Sequence, residues 1–110
     1  MQEKKGYPLY REGSVDIRQD TDTFSSHHIW IGENYFYLEA ASLDRIALKT
    51  PVNELENAIE RYDPKILHSL STEKITPKDF ALILARAKIK ELKSELIEKE
   101  SHLDSLYDRL

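Results

Sequence analysis

Residues 77–110 read PKDFALILARAKIKELKSELIEKESHLDSLYDRL, and this stretch decides how the rest of the chain must be arranged. Apolar side chains recur along it every seven residues, and a second series follows three residues after the first, which is the a and d pattern of a coiled coil. The a positions are Leu82, Ile89, Leu96, Leu103 and Leu110, and the d positions are Ala85, Leu92, Lys99 and Leu106. The sequence therefore predicts one long amphipathic helix with a lysine in its apolar seam.

The start of this helix is marked by its first residues. Thr76 can cap it, Pro77 suits the first turn, and the carboxylate of Asp79 lies near the positive end of the helix dipole. At 1.5 Å per residue, a helix over 77–110 would be about 50 Å long. The remaining residues are too few to cover that length. We therefore expect the helix to need a partner and the protein to act by association.

The composition is that of one small folded protein. The chain has 110 residues, of which 40% are hydrophobic and 9% aromatic, which is too apolar for a disordered chain. The formal net charge of −4 disfavours non-specific binding to nucleic acid. Because the chain has no cysteine, disulfide frameworks, thiol catalysis and thiolate metal sites are excluded. No apolar run reaches membrane-spanning length, and residues 1–10 lack the apolar core of a signal peptide, so we expect a cytoplasmic protein without a membrane anchor.

The strongest β-strand signal lies at residues 28–38. Two aromatic and β-branched runs, 28–31 and 35–38, flank the turn residues 32–34, and this pattern predicts a β-hairpin. The turn could be two to four residues long, which leaves the register open. One face would carry Ile29, Ile31, Phe36 and Leu38, and the other face would carry Trp30, Tyr35 and Tyr37.

A third strand is plausible at residues 15–18, where Val15 and Ile17 alternate with polar residues. Residues 1–12 are charged and contain Gly6 and Pro8, so we expect them to be loosely ordered. A lone hairpin is only marginally stable, so a third strand or a covering helix is required.

The middle of the chain reads as helices. Ser42–Lys49 is ambiguous between helix and strand, with helix favoured and Ser42 as its cap. Thr50-Pro51 repeats the cap pattern of Thr76-Pro77, and Asp63-Pro64 ends that helix and starts a shorter segment over 66–70. The apolar stripe of the Pro51 helix consists of Val52, Leu55, Ala58, Ile59 and Tyr62.

We therefore expect an α+β fold with a small N-terminal antiparallel sheet of two to three strands packed on helices. Residues 80–87 are apolar on nearly every side, which is typical of a buried helix. Beyond Ile89 the apolar stripe becomes narrow. We divide the chain into a domain over 1–88 and a projecting coiled-coil helix over 89–110, continuous with the helix that starts at Pro77.

No catalytic, cofactor or metal site is predicted. His27 and His28 lie near Asp20 and Asp22, but adjacent residues of a strand point to opposite faces and cannot easily hold one ion. The chain has no nucleophile elbow and no glycine-rich loop for phosphate.

The aromatic face formed by Trp30, Tyr35 and Tyr37 could stack nucleic-acid bases, form a protein interface, or be core beneath a helix. We favour core or an obligate interface, because exposed aromatic patches are rare on monomers and the sequence pattern gives this face no flanking Arg or Lys, which base stacking needs. This makes the three aromatic residues a possible second interface.

The function expected from these patterns is that of a non-enzymatic interaction, adaptor or regulatory protein. It would self-associate or bind a helical partner through Ile89, Leu92, Leu96, Lys99, Leu103, Leu106 and Leu110. One alternative is a dimeric nucleic-acid-binding regulator that contacts phosphate with Arg86, Lys88, Lys90 and Lys93, although the glutamates that follow favour a solvated flank. The least supported alternative is an enzyme with a composite site at a dimer interface, built from His27, His28 and Asp22.

If the helix pairs with itself, its flanking charges favour an antiparallel dimer. A parallel pair would set Lys88 against Lys93 and Glu95 against Glu100, and both contacts repel. An antiparallel pair centred between Leu96 and Lys99 would instead bring Lys93 of one copy close to Glu100 of the other. It would also bring Glu95 close to His102.

Overall fold

A computed structural model describes residues 4–23 and 25–108, without the side chains of residues 107 and 108. Within these residues the chain forms an antiparallel sheet of four strands, whose order in the sheet follows the chain, and then a series of helices. The strands are β1 (Tyr7–Glu12), β2 (Val15–Gln19), β3 (His27–Ile31) and β4 (Asn34–Leu38). The predicted α+β class is confirmed, with four strands instead of two to three.

The additional strand is β1, so the prediction of a loosely ordered segment over 1–12 is wrong for residues 7–12, while residues 1–3 lie outside the described residues. β1 pairs with β2 at one edge of the sheet, and the register shifts between Pro8 and Tyr10. Proline has no backbone N–H to donate, but an edge strand tolerates it, particularly at a bulge. Leu9, which lies within the irregularity, is buried in the core. Burial of this side chain and pairing with β2 outweigh the local signals of Gly6 and Pro8.

The predicted hairpin is β3 and β4, and its register is now fixed. Ile31 lies opposite Asn34, so the turn consists of Gly32 and Glu33 alone. Gly32 has a φ of +61°, whereas Glu33 does not have a positive φ. A glycine at the first central position is what the type II′ hairpin turn requires.

The two faces of the hairpin are those predicted. On the inner face, Ile29, Ile31, Phe36 and Leu38 are buried, together with Val15 and Ile17 of β2. The helices cover this face. Their core residues are Leu43, Ile46, Leu55, Ile59, Ile66, Leu70, Phe80, Ile83, Leu84 and Ala87.

The segment Ser42–Lys49, for which the sequence favoured helix over strand, is helical. It begins as α1 (Ser42–Asp44) and continues as a π-helical turn over Arg45–Lys49. The expectation that Ser42 caps it is wrong. The N-cap is Ala41, which has a left-handed backbone with φ +66°, and Ser42 lies buried in the first turn.

The next helix, α2 (Leu55–Tyr62), follows a short 3₁₀ turn over Val52–Glu54. Thr50 does not cap it, because its hydroxyl donates a hydrogen bond to the Arg45 carbonyl at 2.7 Å and so closes the preceding segment. Within the predicted apolar stripe, Leu55 and Ile59 are buried, whereas Val52 is exposed in the 3₁₀ turn.

The last two helices start where their caps predict. At the start of α3 (Pro64–Thr72), the Asp63 carboxylate accepts a hydrogen bond from the Lys65 N–H at 2.9 Å. At the start of α4 (Pro77–Asp108), the Thr76 hydroxyl oxygen accepts one from the Asp79 N–H at 3.1 Å. α4 has 32 residues. At 1.5 Å per residue, its length is about 48 Å.

Candidate functional site

α4 presents two different faces. The face that packs on the sheet and on α1 carries Phe80, Leu84, Ala87 and Glu91, all buried and spaced by four, three and four residues. We call the heptad residues from Leu82 to Leu106 the seam. Because successive residues of a helix are rotated by about 100°, the seam lies roughly a third of a turn around α4 from the packed face. The packing of α4 on its own domain therefore leaves the seam on the solvent side.

The exposure of the seam is nearly uniform. Its large apolar side chains are exposed by 44–56%: Leu82, Ile89, Leu92, Leu96, Leu103 and Leu106. Lys99 is also exposed, whereas Ala85 is partly buried, and Leu110 lies outside the described residues.

The expectation that residues 80–87 are buried on every side is wrong for Leu82, which is 44% exposed. The sheet and the preceding helices cover only one side of α4, and Phe80, Ile83 and Leu84 already fill that side. The seam therefore continues from the part of α4 that packs on the domain into the exposed part beyond Glu91.

A buried polar cluster holds α4 at the point where it leaves the domain. Glu91 of α4 and His27 of β3 are 3% and 2% exposed, and Nε2 of His27 lies 3.4 Å from Oε2 of Glu91. Lys88 bridges this carboxylate to α1, with its Nζ 3.5 Å from Glu91 and 3.5 Å from Asp44. The imidazole of His27, helped by the charge of Lys88, lowers the pKa of Glu91, although burial acts in the opposite direction.

Glu91 is also the last buried residue of α4 in the part of the helix whose side chains are described. From Leu92 to Leu106 the side chains are exposed, except that Glu95 is partly buried. The division of the chain at Ile89 stays a prediction, and the observed change in burial follows Glu91.

The basic residues proposed for nucleic acid do not form a common free stripe. Nη1 of Arg86 lies 2.9 and 2.8 Å from the two carboxylate oxygens of Glu12 on β1. Lys88 belongs to the buried cluster. Lys90 and Lys93 are exposed, and within the described residues neither forms an ion pair. Two of the four residues are thus used to hold α4 on its own domain.

The outer face of the sheet carries an aromatic cluster formed by His28, Trp30, Tyr35 and Tyr37, with ring centroids 4.9–6.3 Å apart. Of the interpretations left open for the three aromatic residues, core beneath a helix does not hold, because the described helices pack on the opposite face of the sheet. Tyr35 and Tyr37 are therefore 43% and 41% exposed. The role of these residues as a second interface stays a prediction.

The expectation that this face lacks basic residues is also wrong. Nζ of Lys4 lies 5.4 Å from the centroid of the Trp30 ring and 3.0 Å from Asp16 Oδ2, and Nε of Arg18 lies 3.7 Å from the same oxygen. These charges were overlooked because Arg18 reaches the face through strand alternation, and Lys4 reaches it from the segment before β1.

The two adjacent histidines point to opposite faces of the sheet, as predicted. His27 faces Glu91 in the core, and His28 belongs to the outer cluster. They therefore cannot act together with Asp22 in one site of one chain. In the part of the chain that the structure describes, no three His, Asp or Glu residues gather in a way that could hold a metal ion.

His28 lies at the centre of a hydrogen-bonded network on the outer face. Its Nε2 is 3.1 Å from Asp20 Oδ1, and its Nδ1 is 2.6 Å from the Tyr35 hydroxyl. A carboxylate only accepts hydrogen bonds, so Nε2 carries the proton and Nδ1 accepts from Tyr35. The Tyr37 hydroxyl donates to the other oxygen of Asp20 at 3.1 Å.

The network affects both acids in it. Burial alone would raise the pKa of Asp20, but the hydrogen bonds from His28, Tyr37 and the backbone near Asp22 outweigh it and lower the pKa to about 2. Burial raises the pKa of Tyr35, and the nearby Tyr37 and Asp20 add to this. Sequence reasoning missed this network, although the cross-strand alternation of residues 28, 30, 35 and 37 was a signal for part of it.

Comparison of the chain with known protein families, with curated proteins and with solved structures found no match. Among residues 4–23 and 25–108, none of the helices combines the length and the apolar character that a membrane span requires.

Proposed function

We propose that the protein is an interaction protein that forms an antiparallel homodimer through the seam of α4. The observation that carries this proposal is the exposure of the seam, whose large apolar residues remain 44–56% exposed while a separate face of the same helix packs on the domain. The domain covers one apolar face of this helix and leaves the second apolar face, the seam, exposed to water. Contiguous exposed apolar surface of this kind is typical of protein interaction sites.

Burial of the seam would supply the free energy of association. Burying the exposed half of a leucine side chain contributes about 1 kcal/mol. Ile89, Leu92, Leu96, Leu103 and Leu106 would each be buried in both copies of an antiparallel pair centred between Leu96 and Lys99. Lys99 can run its alkyl stem beside Leu96 and keep its ammonium group in water.

A second copy is the occupant that the flanking charges favour, and its direction follows from them. In a parallel pair, Glu95 would face Glu100 of the other copy. In the antiparallel pair, Lys93 faces Glu100 and Glu95 faces His102. Lys88 contributes little to this choice, because its ammonium is already paired with Glu91 and Asp44 within its own chain.

Light scattering over a concentration series tests the association. We expect the mass of a dimer at micromolar concentration and a shift to the monomer on dilution. A monomer mass at every concentration, with α4 still helical by circular dichroism, would contradict self-association and would favour a helical partner of another kind.

Single cysteines test the direction of pairing, and the absence of native cysteine makes the result easy to read. In the antiparallel pair, Leu92 of one copy lies beside Leu103 of the other. Mixing Leu92→Cys with Leu103→Cys should therefore give a disulfide-linked heterodimer. Efficient linking of Leu92→Cys to itself would show a parallel pair instead.

A further inference from the structure

The outer face of the sheet contains a cavity of about 510 Å³ beside the network of His28. The two residues before β1, the loop after β2, His28 of β3 and the edge strand β4 line it, with Lys5, Asp22, Tyr35 and Tyr37 among the lining side chains. Tyr35 is 43% exposed, so its phenol is accessible from solvent while its hydroxyl is bound to His28. The cavity lies on the face opposite to the core and to α4.

Tyr35, His28 and Asp20 are hydrogen-bonded in series, as the nucleophile, base and acid of a catalytic triad are. The Tyr35 hydroxyl donates to Nδ1 of His28 over 2.6 Å, and Nε2 of His28 donates to Asp20 over 3.1 Å. The side chains of His28 and Asp20 are only 8% and 12% exposed, so their orientation is fixed by the protein. A hydroxyl bound to a base, which is in turn oriented by a carboxylate, is the arrangement that activates nucleophiles in acyl transfer.

We propose that Tyr35 is a nucleophilic residue, activated by His28 and Asp20, that takes the acyl group from small uncharged carboxylic esters bound in this cavity. The Tyr35 oxygen attacks the ester carbonyl carbon and forms a new C–O bond, while the phenol proton moves to Nδ1 of His28. The bond to the alcohol then breaks, and the leaving alkoxide takes the proton back from His28. Water hydrolyses the aryl ester left on Tyr35, with His28 again acting as base, and restores the phenol.

The proton transfer to His28 is essential to this proposal. Burial raises the pKa of Tyr35, so its hydroxyl is protonated at neutral pH and cannot attack as a free phenolate. A positioned base that removes the proton during the attack overcomes this, and the imidazolium formed is stabilised by the Asp20 carboxylate.

The preference for an uncharged ester follows from the charges of the cavity. Asp20 and Asp22 lie on its wall together with Lys5. Two carboxylates repel a phosphate or carboxylate substrate, whereas a neutral ester encounters no such repulsion. Lys5 is a positive group near which negative charge on the carbonyl oxygen can develop.

The test uses the full chain and p-nitrophenyl acetate. The reaction is quenched with acid within the first turnover, before hydrolysis restores Tyr35, and the acetylated residues are identified by peptide mass spectrometry. Tyr7 serves as the control inside the same molecule, because it is 68% exposed and, within the described residues, has no histidine hydrogen bond. We expect Tyr35 to be acetylated about a hundred-fold faster than Tyr7, the size of effect typical of general base catalysis. Equal or slower acetylation of Tyr35 would overturn the proposal.

Variants separate activation from mere exposure. His28→Gln should reduce the acetylation rate of Tyr35 to that of Tyr7, and Asp20→Asn should reduce it roughly ten-fold or more. Tyr7→Phe should leave the rate at Tyr35 unchanged. Circular dichroism and the unfolding midpoint establish that each variant is folded, and if His28→Gln is not, Asp20→Asn decides. A folded variant in which Tyr35 still reacts at the original rate would overturn the proposal, whatever the oligomeric state of the protein.

Discussion

His27 of β3 and Glu91 of α4 face each other inside the core, with Nε2 of the histidine 3.4 Å from Oε2 of the glutamate. No well-aligned hydrogen bond reaches either ring nitrogen of His27 from the described residues, so this contact is the main polar compensation for burying the ring. The contact also joins the centre of the sheet to the last buried turn of α4. The position at which the seam begins to project is thus held by a polar contact, and its strength can be measured.

Glu91→Gln removes the charge that faces His27 and Lys88 and keeps the size of the side chain. Because breaking a buried ion pair leaves its partners uncompensated, we expect the free energy of unfolding to fall by about 2–4 kcal/mol. Urea unfolding measures this change. Glu98→Gln, at an exposed position of the same helix, should change it by less than about 0.5 kcal/mol. Equal stability of the two variants would show that the Glu91 contact does not support the fold.

The second prediction concerns stability in acid. Asp20 has a pKa of about 2 in the folded protein, against an ordinary value of 3.8. Because the folded state lowers this pKa, the stability contributed by the ionised carboxylate is complete above pH 3.8 and is lost as the pH falls towards about 2. The difference in unfolding free energy between the natural protein and Asp20→Asn should therefore shrink through this range. A difference that stays constant with pH would contradict the lowered pKa.

The third prediction is that the seam, and no other exposed face of α4, forms the dimer interface. Leu96→Ala and Leu103→Ala remove seam side chains, and we expect each to weaken dimerisation roughly thirty-fold, since a truncated leucine loses about 1 kcal/mol in each of the two copies. Ile97→Ala is the matched control. Ile97 is 66% exposed and lies off the seam, so its loss should leave the dissociation constant nearly unchanged. Equal effects at positions 96 and 97 would exclude the seam as the interface.

The fourth prediction concerns two truncations of α4. Removal of residues 94–110 takes away no buried side chain among those described, so the shortened protein should still unfold cooperatively in urea, as a monomer. Removal of residues 80–110 takes away Phe80, Ile83, Leu84 and Ala87 from the core and should abolish cooperative unfolding. Loss of cooperativity in the first truncation would show that the projecting part of α4 belongs to the domain.

The parts of the fold that sequence predicted are those determined by neighbours in the chain. The hairpin faces follow from the alternation of Ile29 and Ile31 with Trp30, and the starts of α3 and α4 follow from Asp63 and Thr76, whose caps act within two or three residues. The register could not be predicted, because a turn at Gly32 accommodates several lengths until the strands pair.

The parts that sequence missed depend on contacts between distant residues. β1 forms because it pairs with the edge of β2 and because Leu9 is buried in the core. Neither contact can be predicted from residues 7–12 alone. Leu82 fits a buried pattern as well as an exposed one, and only the size of the sheet and α1 decides between them. Asp20, His28 and Tyr35 come together through two strands and a loop, which makes the network invisible to a search for short motifs.

The sheet is built from neighbours in sequence, but β1 and β2 are covered on the inner face by α4, which starts only at Pro77. β1 to β4 pair in chain order, whereas Phe80, Leu84 and the Arg86–Glu12 contact come from α4. A growing chain can therefore form its hairpins early, yet the apolar side of β1 and β2 stays open to water until α4 has been synthesised. In the cell, the newly made sheet would depend on the ribosome or on chaperones to prevent aggregation until α4 has emerged.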